Sequence, residues 1–89
     1  MNMHEGIMEE HWFDSNCNPA GGCSYGVGFA ISWQNGPFNE RQQANGAFVA
    51  HVLEAALGRL KFYQSTKFAC NATATAIASV NAALQALRT

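Results

Sequence analysis

Arg41, Arg59 and Arg88 can each present a guanidinium fork, Gln34, Asn35 and Asn45 can supply amides, and Trp33, Phe62 and Tyr63 offer flat aromatic faces. Together these suit the holding of a small ring that carries two or three phosphates. Cations and amides would meet phosphate oxygens, and aromatic faces would meet bases. A chain this short has few such groups, so a site assembled from two or three subunits is expected over one enclosed within a monomer.

Catalysis needs more than the sequence offers. A nucleophile or base must be held by a partner, and no Ser-His-acid arrangement, phosphate-binding glycine loop, paired-carboxylate motif or H-E-x-x-H is present. His51 is the one base at hand for a phosphodiesterase. It falls beside the apolar stripe of a helix, where a core or interface histidine is the simpler reading, so the protein is expected not to be an enzyme. His4, His11, Cys17 and Cys23 can be drawn as zinc ligands, but they lack the paired short spacings of such sites. No metal and no cofactor are expected. Asn71-Ala72-Thr73 has the form of a glycosylation acceptor but falls at a helix start, and is read as coincidence.

Each candidate also has a plain structural reading. Arg59 can be a solvated helix residue or can pair with Glu54 of a neighbouring subunit. Arg88 near a helix end meets the dipole favourably, and Trp33 is the sort of residue that fills a core. Phe62 and Tyr63 point about 100° apart on a helix, so at most one of them joins a helix seam fully.

The elements that must position these residues follow from the apolar pattern. Residues 1–28 mix Gly, Asn, Ser and Pro with scattered aromatics, and Asn18-Pro19-Ala20-Gly21-Gly22 reads as a turn or loop. This stretch is expected to be an arm, with Ile7–Phe13 open between a short helix and an edge strand. Phe29-Ala30-Ile31-Ser32-Trp33 alternates in the manner of a half-buried strand and stops at Asn35-Gly36-Pro37. Val49, Val52, Leu53, Ala56, Leu60 and Tyr63 then form the stripe of an amphipathic helix, with Asn45 as its N-cap and Gln64 near its end. Ser65-Thr66-Lys67 is short enough to reverse the chain. A second helix over roughly Ala69 to Leu87 carries Ile77, Val80, Leu84 and Leu87 on one face. It has no charged residue between those limits and eight alanines, which favour helix over the strand that Ala72-Thr73-Ala74-Thr75-Ala76 suggests. The expected fold class is therefore mainly α: an antiparallel two-helix hairpin preceded by a short N-terminal extended or β arm. The arm spans 1–28, the strand plus hairpin 29–89, and the whole is one domain assembled as a homo-oligomer.

Composition points the same way. Charged residues make up only 12% of the 89 positions against 48% apolar, so much of the surface is uncharged and self-association is the simplest outlet for it. With a net charge of −1, the chain lacks the basic field that duplex DNA or RNA demands. No signal peptide and no apolar run of membrane-spanning length is seen, and three cysteines are too few and too odd for a disulfide framework. A cytoplasmic location with reduced thiols is expected.

Five segments, in order and spacing, carry a resemblance: Trp33-Gln34-Asn35-Gly36-Pro37, Asn45-Gly46-Ala47-Phe48-Val49, Arg59-Leu60-Lys61-Phe62-Tyr63-Gln64, Lys67-Phe68-Ala69-Cys70 and Leu87-Arg88-Thr89. Over roughly residues 26 to 89 the chain is similar to the helical hairpin domain of phage anti-CBASS and Thoeris anti-defence proteins. These are sponges that bind cyclic nucleotide alarm signals of bacterial immunity without cleaving them. The resemblance implies dimers formed through the hairpin and hexamers built of three such dimers. It further implies that cyclic dinucleotides or cyclic ADP-ribose isomers sit between paired protomers, and in some members that cyclic trinucleotides sit at threefold contacts. The positions it marks are the Gln34-Asn35-Gly36-Pro37 turn, Asn45-Gly46, Tyr63 and Arg88. The chain departs from the family at Asn71-Ala72-Thr73, where relatives present Arg-Glu-Asn, and at Ala50-His51, which replaces a frequent acidic pair.

The functional expectation is a non-enzymatic, virus-derived sponge that sequesters a cyclic nucleotide signal in an infected bacterial cell. Its expected ligand-binding residues are Gln34, Asn35, Gly36, Pro37, Asn45, Arg59, Tyr63 and Arg88. The alternative is an oligomeric protein–protein interaction module with no small-molecule ligand.

Overall fold

The computed structural model of the chain describes residues 6–36 and 44–88. Five elements follow in the order β1 (Ile7–Phe13), β2 (Pro19–Gly26), β3 (Phe29–Trp33), α1 (Val49–Gln64) and α2 (Asn71–Arg88). The chain divides into two compact units, Met1–Phe48 and Val49–Thr89.

In the first unit the three strands form an antiparallel meander ordered β1-β2-β3. Asp14 makes the first reversal: its carboxylate accepts the backbone N–H groups of Asn16 at 2.8 Å and Asn18 at 3.0 Å, while Cys17 takes the left-handed conformation at φ 64°. The second reversal needs only Val27 and Gly28, and Gly28 supplies the positive φ of 88° that the turn requires. The register places Ile7, Gly26 and Phe29 abreast, then Glu9, Ser24 and Ile31, then His11, Gly22 and Trp33, all on one face. Met8, Tyr25 and Ala30, and Glu10, Cys23 and Ser32, lie on the other. The Trp33 indole donates to the Ser24 hydroxyl at 2.9 Å across β2 and β3, which satisfies both groups where Ser24 is buried.

The expected mainly α class is overturned by this sheet: the protein is α+β, with a three-stranded antiparallel sheet and two helices. Residues 7–26, read as an arm, are two of its strands. The reason is local. Asn18-Pro19-Ala20-Gly21-Gly22 carries turn residues, yet β2 starts at Pro19, and Gly22 sits mid-strand because a Cβ there would run into the backbone carbonyl of Glu10. In β1 each face mixes charged and apolar side chains, so no period-two signal arises.

In the second unit two helices form the expected antiparallel hairpin. Gln64 meets Cys70 at one end and Glu54 meets Arg88 at the other. Leu57 at 8% exposure and Leu84 at 3% are the buried apolar side chains among the described residues, one from each helix. Half-buried Val52, Leu53, Leu60, Ile77 and Val80 flank them along the seam. Leu57, absent from the expected stripe, is its centre on α1. The helix also begins later than the pattern predicts, at Val49, because Asn45 is engaged elsewhere.

Candidate ligand-binding site

The amides expected to meet a ligand are mostly used within the first unit. Gln34 Oε1 accepts the backbone N–H groups of Asn45 at 2.9 Å and Gly46 at 3.1 Å. Asn45 answers: its Oδ1 accepts the Asn35 N–H at 2.8 Å and its Nδ2 donates to the Asn35 carbonyl at 3.0 Å. Beside this clamp, Ala47 forms a parallel bridge with Trp33, donating to the Ser32 carbonyl at 2.7 Å and accepting from the Gln34 N–H at 2.9 Å. Asn45 is thus a tie between chain segments and not a helix cap. Gln34 Nε2 is buried and has no hydrogen-bond partner among the described residues, so only that donor of the Gln34 side chain is unspent. Gly36 takes a positive φ of 82° at the end of the turn. Pro37 and Arg41 lie outside the described residues.

Arg59, Phe62 and Tyr63 come together on α1, as residues three and four apart on a helix must. The Arg59 guanidinium carbon lies 4.8 Å from each ring centroid. The two rings stand 6.0 Å apart, tilted by 54°. All three side chains are exposed, so neither aromatic is spent on the hairpin seam. Among the described residues no carboxylate pairs with Arg59.

Arg88 is different. It forms an ion pair with Glu54 within the same protomer, which answers the acid that Arg59 was expected to find in a neighbour. One nitrogen of its fork is thereby engaged and its charge offset.

Lys67 and Phe68, which the expected site omitted, make a second exposed cation–aromatic pair in the hairpin turn: the Lys67 ammonium lies 5.4 Å from the Phe68 ring centroid. The signal was present in the sequence as cations interleaved with aromatics, Arg59…Phe62-Tyr63…Lys67-Phe68. Charge separates sharply between the units. The helical unit holds Arg59, Lys61, Lys67 and Arg88 against Glu54 alone, a net +3. The sheet unit holds Glu5, Glu9, Glu10, Asp14 and Glu40 against Arg41, a net −4. The overall −1 hides a basic hairpin.

The turn beneath the cluster is rigidly made. Ser65 and Thr66 hydroxyls donate to the Phe62 and Tyr63 carbonyls at 2.6 Å, closing the end of α1. The Gln64 amide both donates to the Cys70 carbonyl and accepts the Cys70 N–H, each at 3.1 Å. Cys70 caps α2, and its thiol, 3.3 Å from the Thr73 hydroxyl, titrates below its ordinary range because that hydroxyl and the Thr73 and Ala72 backbone favour the thiolate. Cys23 titrates above the ordinary range, through desolvation first and then its hydrogen bond to Glu10 and that residue's charge.

His51 is exposed on α1. Among the described residues no three His, Cys, Asp or Glu side chains gather as a metal site, and no helix is long and apolar enough to cross a membrane. Compared with known protein families and with curated proteins, the chain matches none.

Proposed function

We propose that the protein is a non-enzymatic sponge for a cyclic nucleotide signal, binding a cyclic di- or trinucleotide or a cyclic ADP-ribose isomer and so keeping it from the bacterial defence effector it would activate. The observation that carries this reading is Arg59 stacked over Phe62 and Tyr63 in the second half of α1, exposed, without an acid partner among the described residues, on a hairpin with net positive charge. A guanidinium fork suits phosphate oxygens, adjacent rings suit a base, and an exposed site of three side chains is completed by a second protomer of a homo-oligomer. Gln34, Asn35 and Asn45 are proposed to shape the neighbouring backbone more than to touch ligand. Arg88 contributes only where Glu54 releases it.

Sequestration acts by mass action: protein in excess over a tightly held ligand keeps free signal below the threshold of its effector. Calorimetric titration of the purified protein with a panel of cyclic di- and trinucleotides and cyclic ADP-ribose isomers tests it, followed by heat release and chromatography of the ligand. Saturable binding with intact ligand recovered is expected. Silence across the panel, or recovery of a cleaved product, overturns the reading.

A further inference from the structure

We infer that β1 is a pairing edge that takes β1 of a second copy of this chain, antiparallel and centred on Glu10, joining two three-stranded sheets into one of six. The inference stands on the sheet alone and does not rest on the ligand reading.

The sheet has two edges and they are treated differently. At the β3 edge, Ala47 bridges to Trp33 and takes up the Ser32 carbonyl and the Gln34 N–H. At the β1 edge, all seven residues from Ile7 to Phe13 are exposed, among them Met8 at 56%, Trp12 at 52% and Phe13 at 68%. Solitary edge strands are ordinarily blunted by charged side chains, proline or shortness; Ile7-Met8-Glu9-Glu10-His11-Trp12-Phe13 has seven residues and no proline or lysine, and its charge is confined to its centre, at Glu9, Glu10 and His11. An edge of this length, apolar at both ends and with central charges that a second copy can match, is suited to being paired.

The sequence of β1 specifies what pairs with it. Antiparallel pairing with itself about Glu10 sets Glu9 opposite the second copy's His11, Met8 opposite its Trp12 and Ile7 opposite its Phe13, each twice by symmetry. These are an acid–imidazole pair, a thioether–aromatic pair and an aliphatic–aromatic pair, all of them favourable cross-strand neighbours. Glu9 and His11 already lie 3.5 Å apart on one face of the strand, so in the pairing two acids and two imidazoles alternate on that face. Other registers do worse. Centring between Glu9 and Glu10 puts these acids opposite each other twice, and centring between Glu10 and His11 faces Glu9 with Trp12 and leaves Ile7 unpaired. The chosen register keeps all seven residues paired, with one like-charge contact where Glu10 meets itself beside Cys23.

Disulfide trapping tests both partner and register, in the full chain with Cys17, Cys23 and Cys70 replaced by serine. Glu10→Cys places two thiols directly opposite across the symmetry axis, within the reach of a disulfide. Phe13→Cys, at a more exposed position, places its two thiols about 20 Å apart and serves as the collision control. On mild oxidation Glu10→Cys is expected to give at least about tenfold more covalent dimer than Phe13→Cys, since separations beyond 7 Å are not bridged. The double variant Ile7→Cys/Phe13→Cys is expected to restore dimer, because residue 7 of one copy faces residue 13 of the other. It also serves if Glu10→Cys does not fold. Equal trapping at 10 and 13, or no gain from adding Ile7→Cys to Phe13→Cys in folded protein, overturns the inference, and so does a β1 edge that traps only another protein.

Discussion

Gln34 and Asn45 clamp two chain segments reciprocally: the Gln34 amide oxygen accepts the Asn45 N–H at 2.9 Å, and the Asn45 side chain returns two hydrogen bonds to the backbone of Asn35, at 2.8 and 3.0 Å. The two ends of the intervening segment are thereby tied to the end of β3. Neither side chain can be replaced without loosening what the other holds.

Gln34→Ala and Asn45→Ala are therefore each expected to lower unfolding stability by about 1–3 kcal/mol, the range for two lost hydrogen bonds with backbone groups left unsatisfied. Their effects should not add. A double-mutant cycle by urea denaturation is expected to show a coupling of at least about 0.5 kcal/mol, and strict additivity would refute the shared clamp.

How much of this was legible in advance depends on which physical signal each part emits. The hairpin was readable because Val52, Leu53 and Leu60 on one helix and Ile77, Val80 and Leu84 on the other repeat at helical spacing. The sheet was not, because β2 uses Gly22 where another backbone presses close and β1 puts Glu9 and His11 on the same face as Ile7. The amides Gln34 and Asn45 have the chemistry of ligand donors. What decides their use is a contact eleven residues away in sequence, and side-chain type cannot report it. Arg59 and Tyr63 were legible as a pair because spacing of four on a helix forces them together. The ion pair of Arg88 with Glu54 links the last residue of α2 to the second turn of α1 and has no local signature.

Arg59 and Arg88 should separate cleanly in binding. With the proposed ligand class, Arg59→Ala is expected to weaken affinity by about 10- to 100-fold, equivalent to about 1.4–2.7 kcal/mol, because an exposed guanidinium that can meet phosphate is lost. Arg88→Ala is expected to cost less than about threefold, and its effect on stability, as an exposed ion pair, less than about 1 kcal/mol. Glu54→Gln frees Arg88 and should leave affinity equal or tighter. Calorimetry on the three variants measures this ranking, and a larger loss at Arg88 than at Arg59 would move the site to the other end of the hairpin.

Gln64 forms a two-point bond with the backbone of Cys70 and so sets where α2 begins. Gln64→Ala is expected to cost about 1–2 kcal/mol by chemical denaturation. Gln64→Glu keeps the acceptor for the Cys70 N–H and turns the donor into a second oxygen facing the Cys70 carbonyl. It should therefore be no more stable than the alanine variant. A glutamate variant as stable as the parent would show that only the accepted bond matters.

The three thiols should react in a set order. Alkylation with iodoacetamide near neutral pH, followed by peptide mass spectrometry, is expected to label Cys70 fastest and Cys23 slowest. The sign follows from the thiolate being the nucleophile: hydrogen bonds from Thr73 lower the Cys70 pKa and raise its thiolate fraction, whereas desolvation and Glu10 raise the Cys23 pKa and reduce it. Thr73→Val removes the hydroxyl and should slow Cys70, while Glu10→Gln removes the nearby negative charge and should quicken Cys23. Because Thr73 is half-buried in the first turn of α2, a fall in Cys70 labelling must be read beside unchanged helicity by circular dichroism. If helicity holds and the Cys70 rate does not change, the Thr73 hydroxyl is not what favours the thiolate.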